Sequence, residues 1–318
     1  MSQSPLDATV AVLGFGNQGH AHAQNLRDSN VSVIVGARPG YAGESRARAL
    51  GFESLPLEQA AAQADVVAVM LPDELTPRLW PALASQLRPG ATVVFAHGFN
   101  LLYGGLGFPD ACDVVLVSPT GPGRVLRSEY VAGRGLPAYL AVHQDHSGHA
   151  FRTAEAYGVA LGSGRASLWR TTVREETEVD LFGEQTVLCG GMNALVTAAF
   201  DTLVAEGFTP EIAFLECVNQ LKYLADLMHE KGISGMRRGI SGTACYGDVT
   251  RGPRVIGPGV RAEMARILAE VRSGEFAREW AAEAAAGAPR LRSLLEDSAG
   301  HPIEQARRNA LGLPDPEA

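Results

Sequence analysis

The sequence has few of the features that mark secreted, membrane-bound or nucleic-acid-binding proteins. Its four cysteines lie far apart and form no Cys-x-x-Cys pair, which argues against a disulfide framework and against a zinc site built from thiolates. Runs of Lys and Arg never exceed two residues and the formal net charge is -8, which excludes a basic surface for nucleic acid or an anionic membrane. We therefore expect a protein that acts on small molecules.

A targeting leader and long apolar runs are also lacking. The opening segment MSQSPLDATV has neither a basic region nor an apolar core. No later apolar run approaches the roughly 20 residues that span a bilayer, so we expect a cytoplasmic protein without a membrane partner. With 318 residues, of which 46% are hydrophobic, the chain can form about two domains.

Short apolar runs alternate with helical stretches through the first half of the chain. We predict strands at TVAVLG, VSVIVG, DVVAVMLP, ATVVFAHG, DVVLVSP and AYLAVHQ. Continuous runs of Val, Ile and Ala are typical of a parallel sheet with helices on both faces, which is a doubly wound α/β fold. From about Glu176 only helical periodicity is found. The sequence thus predicts a dinucleotide-binding α/β domain over residues 1–176 and an all-helical domain over residues 177–318.

The segment VLGFGNQGHAHAQNL contains a G-x-G-x-x-G motif between a predicted strand and a predicted helix. Gly14 would permit a tight turn, Gly16 a close approach of backbone N–H groups to a pyrophosphate, and Gly19 close packing of the helix on the strand. The helix N-terminus would favour the anion. We predict a nicotinamide dinucleotide site here, and the alternative is a glycine turn that binds nothing.

Three nearby residues refine this prediction. His20 and His22 lie two apart at the start of the helix and cannot face one metal ion together, so capping or helix-face roles are favoured. Arg38 follows the second strand, where proteins that bind NAD usually have an acidic residue, and a guanidinium suits the extra phosphate of NADP. NADPH is therefore the predicted coenzyme, with NADH as the alternative.

Carboxylates in the second half of the chain point to a metal. Asp180 and Glu184 lie four residues apart, on one helix face, among apolar neighbours that make unpaired carboxylates costly. A Mg²⁺ ion would relieve that cost, and a solvated acidic face is the alternative. Glu216 and Gln220 repeat the spacing with one charge. His97 ends an apolar strand at the sheet edge where ligands bind, although a simple loop histidine fits equally well.

Longer motifs give a more specific resemblance. They are GFGNQGHAHAQNLRDS, LPDE, FAHGFN, GPG at 121–123, AVHQDHSG, EETEVDLFGEQTVLCGG, FLECVNQLK, YGD with GPRVI, and SGEFAREW. From about residue 8 to residue 308 the chain resembles the ketol-acid reductoisomerases (acetohydroxy acid isomeroreductases) of the short, class I type. The resemblance implies a Rossmann domain and a knotted helical C-terminal domain. It also implies NADPH, Mg²⁺, and a homodimer or assembly of dimers that shares its active sites between subunits.

The resemblance also implies a reaction of two steps. A metal-assisted alkyl shift in a 2-acetohydroxy acid is followed by hydride reduction to the 2,3-dihydroxy acid, a step of branched-chain amino acid biosynthesis. By position, Asp180 would bridge two Mg²⁺ ions, Glu184 would hold one, and Glu216 would come from the other subunit. Ser241 would hold the substrate carboxylate and His97 would lie beside the nicotinamide. The coenzyme would contact Gly14, Phe15, Gly16, Gln18, Gly19, Arg38, Ser45 and Gly123.

Several positions depart from the pattern of the family. Thr120 replaces a lysine, Gln220 replaces a glutamate, and Gly242 and Cys245 replace an aspartate and a glutamate. In the coenzyme loop, Tyr41 and Gly43 stand where family members often have phosphate-binding serines.

These departures fall where the family carries out its chemistry, and they leave three hypotheses. The chain is a relative specialised for NAD(P)H-dependent reduction of a 2-keto acid or a related C=O or C=N substrate. Alternatively, it is an ordinary Mg²⁺-dependent reductoisomerase that converts 2-acetolactate to 2,3-dihydroxy-isovalerate. The third hypothesis is a coenzyme-binding homologue without activity, although retained acids at positions 180 and 184 argue against it.

Overall fold

The computed structural model describes residues 4–314 and divides the chain into two compact units, the first ending at Val179 and the second beginning at Asp180. The first unit is built on one eight-stranded sheet, and the described part of the second unit is helical throughout. The predicted combination of a doubly wound α/β sheet and a helical domain is thereby confirmed. Both this division and the predicted one, between residues 176 and 177, fall inside one helix, Val173–Gly183.

The sheet has the strand order β3-β2-β1-β4-β5-β6-β7-β8. Its strands are β1 (Thr9–Leu13), β2 (Ser32–Gly36), β3 (Glu53–Leu55), β4 (Val66–Val69), β5 (Thr92–Phe95), β6 (Asp113–Pro119), β7 (Ala138–Gln144) and β8 (Leu168–Arg170). All six predicted runs form strands. Strands β3 and β8 were not predicted, because three residues are too few to show a period.

The sheet departs from the expected parallel arrangement at one junction. Strands β1 to β6 run parallel, but β7 pairs with β6 antiparallel, with Ala138 opposite Pro119. The helix between them returns the chain to the end of the sheet that it had just left, where the N–H of Thr120 donates to Pro137 O at 2.9 Å. A helical crossover in the sequence therefore did not specify the direction of the next strand.

Helices cover both faces of this sheet. They are α1 (Asn17–Asp28), α2 (Ala42–Ala49), α3 (Leu57–Gln63), α4 (Thr76–Ala84), α5 (Phe99–Leu102), α6 (Gly123–Val131), α7 (Ala150–Ala160) and the start of α8 (Val173–Gly183). Val10 and Val12 of β1 belong to the core on one face, and Ala11 and Leu13 to the core on the other. Burial on both faces explains why the strands are continuously apolar.

The second unit consists of further helices with two π-helical turns. The helices are α9 (Gly190–Ala205), α10 (Pro210–Phe214), α11 (Gln220–Arg238), α12 (Gly242–Val255), α13 (Pro258–Arg272), α14 (Glu275–Ala285), α15 (Pro289–Ala299) and α16 (Pro302–Leu311). The π turns are π1 (Glu184–Leu188), between α8 and α9, and π2 (Leu215–Asn219), between α10 and α11.

The second unit buries little of its apolar surface. Its compact cluster of buried residues consists of Phe200, Ala213, Phe214 and Ala306. Many large apolar side chains are exposed, among them Val187, Leu188, Met192, Leu195, Ile212, Leu215, Tyr223 and Leu295. A helical unit with this composition normally buries such side chains against another surface.

The helical stretch Val173–Ala205 is long and apolar enough to cross a membrane, judged by length and composition alone. It has 33 residues, and its most apolar window has a mean hydropathy of 1.5. The sequence expectation concerned uninterrupted apolar runs, whereas this window qualifies because average hydropathy tolerates the polar residues scattered within it. The stretch also carries Asp180, Glu184 and Asp201, which a membrane interior disfavours.

Candidate functional site

The three motif glycines meet different surroundings. Gly14 has φ +98, and a Cβ there would lie 2.6 Å from Met70 O. A Cβ at Gly19 would collide with Gly14 O, so both positions are fixed by packing. A Cβ at Gly16 would meet nothing within 4 Å. The side of the turn at Gly16 is therefore open to an approaching ligand, at the N-terminus of α1.

The N-terminal turns of α1 and α6 contact each other. Gln18 donates from Nε2 to Gly121 O at 3.0 Å. Gly123 is buried, and a Cβ there would collide with Asn17 O. Gln18 and Gly123, both predicted to bind the coenzyme, thus join the two helices, and packing alone explains the glycine. Two neighbouring helix N-termini offer backbone N–H groups to an anion.

The loop after β2 and the start of α2 carry two further predicted coenzyme residues, Arg38 and Ser45. The Arg38 guanidinium lies over the Tyr41 ring, 4.1 Å from its centroid. Ser45 is exposed on α2. Arg46, which the sequence did not single out, donates from Nη2 to Phe15 O at 3.0 Å and so connects α2 to the glycine turn. No periodicity or motif marks Arg46, because its role depends on how the two segments meet.

A histidine and a buried carboxylate lie together at the carboxyl end of β5. His97 Nδ1 lies 3.8 Å from Oε1 of Glu176, whose side chain is 0% exposed. The second oxygen, Oε2, accepts the Gly98 N–H at 3.0 Å. Oε1 is buried without a hydrogen-bond partner among the described residues. A buried carboxylate oxygen in this position needs a proton donor or a cation.

Gly98 allows α8 to pack directly on the loop after β5. A Cβ at Gly98 would collide with Thr177 Oγ1 and would lie 2.7 Å from Glu176 Oε2. Thr177 is itself fixed, since its hydroxyl donates to Val173 O at 2.7 Å. The glycine in FAHGFN therefore determines how closely Glu176 approaches His97.

Helix α8 carries a row of acids at four-residue spacing. Glu176 and Asp180 lie one turn apart along α8, and Glu184 follows at the start of π1. Neighbouring carboxylates of this kind can share a Mg²⁺ ion. Asp180 and Glu184 were predicted as metal ligands. Glu176 was missed, although extending the same spacing one turn toward the N-terminus would have found it.

Two of the three predicted metal acids lie on π turns, which are rare and occur mostly at functional sites. Glu184 begins π1 and Glu216 lies in π2. Beyond π1, a Cβ at Gly190 or Gly191 would collide with the carbonyl oxygens of Gln185 and Thr186 respectively. The paired glycines of TVLCGG therefore permit the wide turn that positions Glu184.

The predicted substrate residue and two of the residues that depart from the family pattern make local hydrogen bonds. Gln220 donates from Nε2 to Glu216 Oε2 at 2.6 Å. Ser241 caps α12, and its Oγ accepts the Ala244 N–H at 3.2 Å. The Thr120 hydroxyl donates to Pro137 O at 3.1 Å. Thr120 therefore closes the β6–β7 junction in place of a cationic side chain.

Comparison with known proteins gives a consistent picture across the chain. A family described as "Acetohydroxy acid isomeroreductase, NADPH-binding domain" matches residues 6–167, and one described as "Ketol-acid reductoisomerase, C-terminal domain" matches residues 173–311. An NADH-preferring ketol-acid reductoisomerase from an uncultured archean is 39% identical. Its structure matches with a TM-score of 0.94 over 96% of this chain and 95% of that chain.

More distant structures share the fold. A semialdehyde dehydrogenase NAD-binding protein from Cupriavidus necator, solved with calcium and NAD, is 23% identical with a TM-score of 0.64, covering 84% of this chain and 99% of that one. A pyrroline-5-carboxylate reductase from Coxiella burnetii is 15% identical with a TM-score of 0.59, over 84% and 97% of the two chains. At these identities the likeness concerns architecture alone.

Proposed function

The chain belongs to the ketol-acid reductoisomerase family of NAD(P)H-dependent oxidoreductases, and we propose that it reduces a 2-keto acid or a related C=O or C=N substrate with weakened alkyl migration. The observation that carries this proposal is the hydrogen bond from Gln220 to Glu216. One carboxylate and one amide occupy a pair of positions where the family usually has two acids. The amide cannot act as a base and binds a cation more weakly.

The glycine turn and the N-terminus of α6 bind the pyrophosphate of the coenzyme through backbone N–H groups. His97 contacts the reacting end, and Glu176, with Oε1 3.8 Å from His97 Nδ1, positions the imidazole. His97 then donates a hydrogen bond or a proton to the oxygen that gains charge as hydride arrives. Both groups belong to the first unit.

Mg²⁺ is the proposed metal, held by Asp180 and Glu184, with Glu216 supplied by a second copy of the chain. Glu176 fits this set because its buried Oε1 makes no hydrogen bond among the described residues. Bound Mg²⁺ supplies Lewis-acid polarisation of the substrate carbonyl. Hydride transfer needs one polarised C=O, whereas alkyl migration also needs ionisation of a hydroxyl, so loss of Lys and Glu at positions 120 and 220 weakens migration more.

The proposed assembly is a homodimer, or a set of dimers, in the cytoplasm. Exposed Leu188, Met192 and Leu195 have the spacing of one helix face, and unit two buries few large apolar side chains by itself. A second copy of the chain would cover that face. We infer no nucleic-acid partner, given the net charge of -8.

A second candidate function is the ordinary conversion of 2-acetolactate in branched-chain amino acid biosynthesis. The observation that favours it is the retained row of acids on α8, with Glu184 placed by an intact π turn. In this case the substitutions at Thr120 and Gln220 are tolerated. The hypothesis of a homologue without activity is set aside, because the family consists of oxidoreductases.

The test follows oxidation of NADH and NADPH with 2-acetolactate and, separately, with 3-hydroxy-3-methyl-2-oxobutanoate, each with and without Mg²⁺. We expect efficient reduction of the second substrate and slow turnover of the first. The double variant Thr120→Lys with Gln220→Glu should raise acetolactate turnover at least about tenfold. Gln305→Glu, on exposed α16, adds a negative charge elsewhere and should change neither rate. Fast turnover of both substrates by the unmodified protein would instead establish the ordinary reductoisomerase.

A further inference from the structure

The loop after β4 lies between the two parts of the proposed site in the first unit. The sheet order places β4 between β1, which leads into the glycine turn, and β5, which is followed by His97. Because these three strands are parallel, their carboxyl ends meet at one edge of the sheet, where ligands of doubly wound folds bind. The motif LPDE, at residues 71–74, forms this loop. The loop therefore separates the glycine turn from His97.

The loop is fixed by hydrogen bonds of its own and by contact with the glycine turn. Pro72 O accepts the N–H groups of Leu75 and Thr76 at 3.0 and 3.1 Å, and it also accepts the Thr76 hydroxyl at 3.0 Å. Thr76 is buried. On the other side, a Cβ at Gly14 would lie 2.6 Å from Met70 O, so the two segments are in direct contact. The loop cannot shift without disturbing the glycine turn.

The buried side chain of Asn100 joins this loop to the segment that carries His97. Asn100 lies on α5, three residues after His97, and is 2% exposed. Its Nδ2 donates to Asp73 Oδ1 at 2.8 Å and to Asp73 O at 3.2 Å. Because both partners are acceptors, the amide nitrogen must face the loop. A Cβ at Gly104 would lie 2.6 Å from Asn100 Oδ1, so the glycine leaves the room that this amide needs.

The path from Asn100 back to His97 is short and closely packed. The Leu102 N–H donates to Gly98 O at 3.0 Å, which closes the turn of α5 that contains Asn100. The buried Phe99 ring stacks on the His97 imidazole, with 15° between the ring planes. Close-packed segments of this kind transmit displacements, so a movement of Asn100 also moves His97.

We propose that Asp73 and Asn100 are positioning residues that hold His97 in a fixed place relative to the coenzyme. Asp73 is anchored to the glycine turn through its loop, Asn100 is anchored to His97 through α5, and the 2.8 Å hydrogen bond joins the two. Displacing a catalytic group by about 1 Å can cost about a hundredfold in rate. The link should therefore affect kcat far more than coenzyme affinity. This inference rests on the proposed role of His97 in hydride transfer.

The experiment compares Asp73→Ala, which removes the side-chain acceptor, with Asp73→Asn, which keeps an amide oxygen in its place. Steady-state kinetics with 3-hydroxy-3-methyl-2-oxobutanoate measures kcat, and fluorescence titration measures coenzyme binding. The NMR signals of the His97 ring nitrogens, assigned by their loss in His97→Gln, report its surroundings without substrate or metal. We expect Asp73→Ala to lower kcat about tenfold to a hundredfold, to leave coenzyme affinity within about twofold, and to move the His97 signals.

Two further variants complete the test. Asp73→Asn should recover most of kcat and restore the His97 signals. Glu74→Ala, at the exposed neighbouring position, should change neither. Asn100→Leu fills a similar volume without a donor and tests the same link from the other side, so it should move the His97 signals even if Asp73→Ala does not fold.

The outcomes separate this inference from the proposed reaction. Unmoved His97 signals in Asp73→Ala and Asn100→Leu overturn the inference whatever the rate, and so does a fall in kcat that Asp73→Asn shares in full. An unmodified protein that reduces neither keto acid overturns the proposed function. If the His97 signals nevertheless move in Asp73→Ala and return in Asp73→Asn, the link between Asp73, Asn100 and His97 is supported.

Discussion

At the scale of single residues, Glu176 is the most informative side chain of the first unit. It is fully buried, it accepts the Gly98 N–H, and its second oxygen faces His97 at 3.8 Å. That distance is too long for a hydrogen bond, but it allows an ion pair with a protonated imidazole. Glu176 is thus a positioning residue for His97.

Replacing Glu176 by Gln should reduce kcat for keto acid reduction about tenfold to a hundredfold and should leave coenzyme affinity nearly unchanged. The amide keeps the size of the side chain but removes the negative charge beside His97. Steady-state kinetics and coenzyme titration measure kcat and affinity. Glu175→Gln is the matched control, since Glu175 is an exposed acid on the same helix. An unchanged kcat in Glu176→Gln would contradict the assigned role.

The second informative residue is His22, which the sequence pairs with His20 and the structure separates from it. His22 is fully buried, with Nδ1 at 2.9 Å from the Tyr157 hydroxyl, while Nδ1 of His20 lies 3.0 Å from Gly16 O. Burial, and then the neighbouring His20, lowers the pKa of His22 from 6.5 to about 3. His22 therefore remains neutral in the folded protein at ordinary pH.

This lowered pKa predicts acid sensitivity. Below pH 6.5 the His22 side chain takes up a proton in the unfolded chain but stays neutral in the folded chain. The contribution of neutral His22 to the free energy of unfolding is therefore complete above pH 6.5 and is lost as the pH falls toward 3. At pH 5 the loss is about 2 kcal/mol relative to neutral pH. Urea denaturation at pH 7.5 and 5.0 measures it. His22→Gln should flatten this dependence and His20→Gln should not, and equal slopes in all three proteins would contradict the prediction.

At the scale of elements, two glycines near the expected pyrophosphate differ in role: Gly16 faces open space, whereas Gly123 is packed against α1. Gly16→Ala adds a methyl group into open space, so it should lower NADH affinity at least about tenfold without changing the melting temperature. Gly123→Ala forces a methyl group against Asn17 O and should cost about 1–3 kcal/mol of folding free energy. Coenzyme titration and thermal melting of both variants test this contrast. A Gly16→Ala protein that melts earlier and binds normally would reverse the assignment.

Elements also show where sequence reasoning succeeded and where it failed. Strands β1, β2 and β4 to β7 were predictable because each is a run of Val, Ile or Ala bounded by turn residues. The π turns were not predictable, because no residue type marks the i to i+5 hydrogen bonds that define them. The antiparallel direction of β7 was not predictable either, because it depends on the path that the chain takes after α6. Arg46 was also not predicted, since a charged residue on a short exposed helix looks like a solvated one.

At the scale of the whole molecule, the second unit leaves an apolar stripe uncovered, consisting of Leu188, Met192 and Leu195. The prediction is a dimer or larger assembly by light scattering coupled to size exclusion. Leu195→Glu should shift it toward the monomer and lower turnover together, because a charge in an apolar interface is costly. Val131→Glu, on the 68% exposed Val131 of α6, should do neither. A monomeric and fully active unmodified protein would contradict this prediction.

Turn π1 has a consequence for how this chain can change. Its defining bond, from the Cys189 N–H to Glu184 O at 3.0 Å, spans one residue more than an α turn. Deleting a single residue from Glu184–Leu188 would close this wide turn into an α turn. Because the turn itself accommodates the extra residue, Met192 and Leu195 of α9 would keep their directions, whereas the side chains of the turn would shift. Chain length in this turn therefore sets the position of the Glu184 carboxylate independently of the apolar side chains of α9.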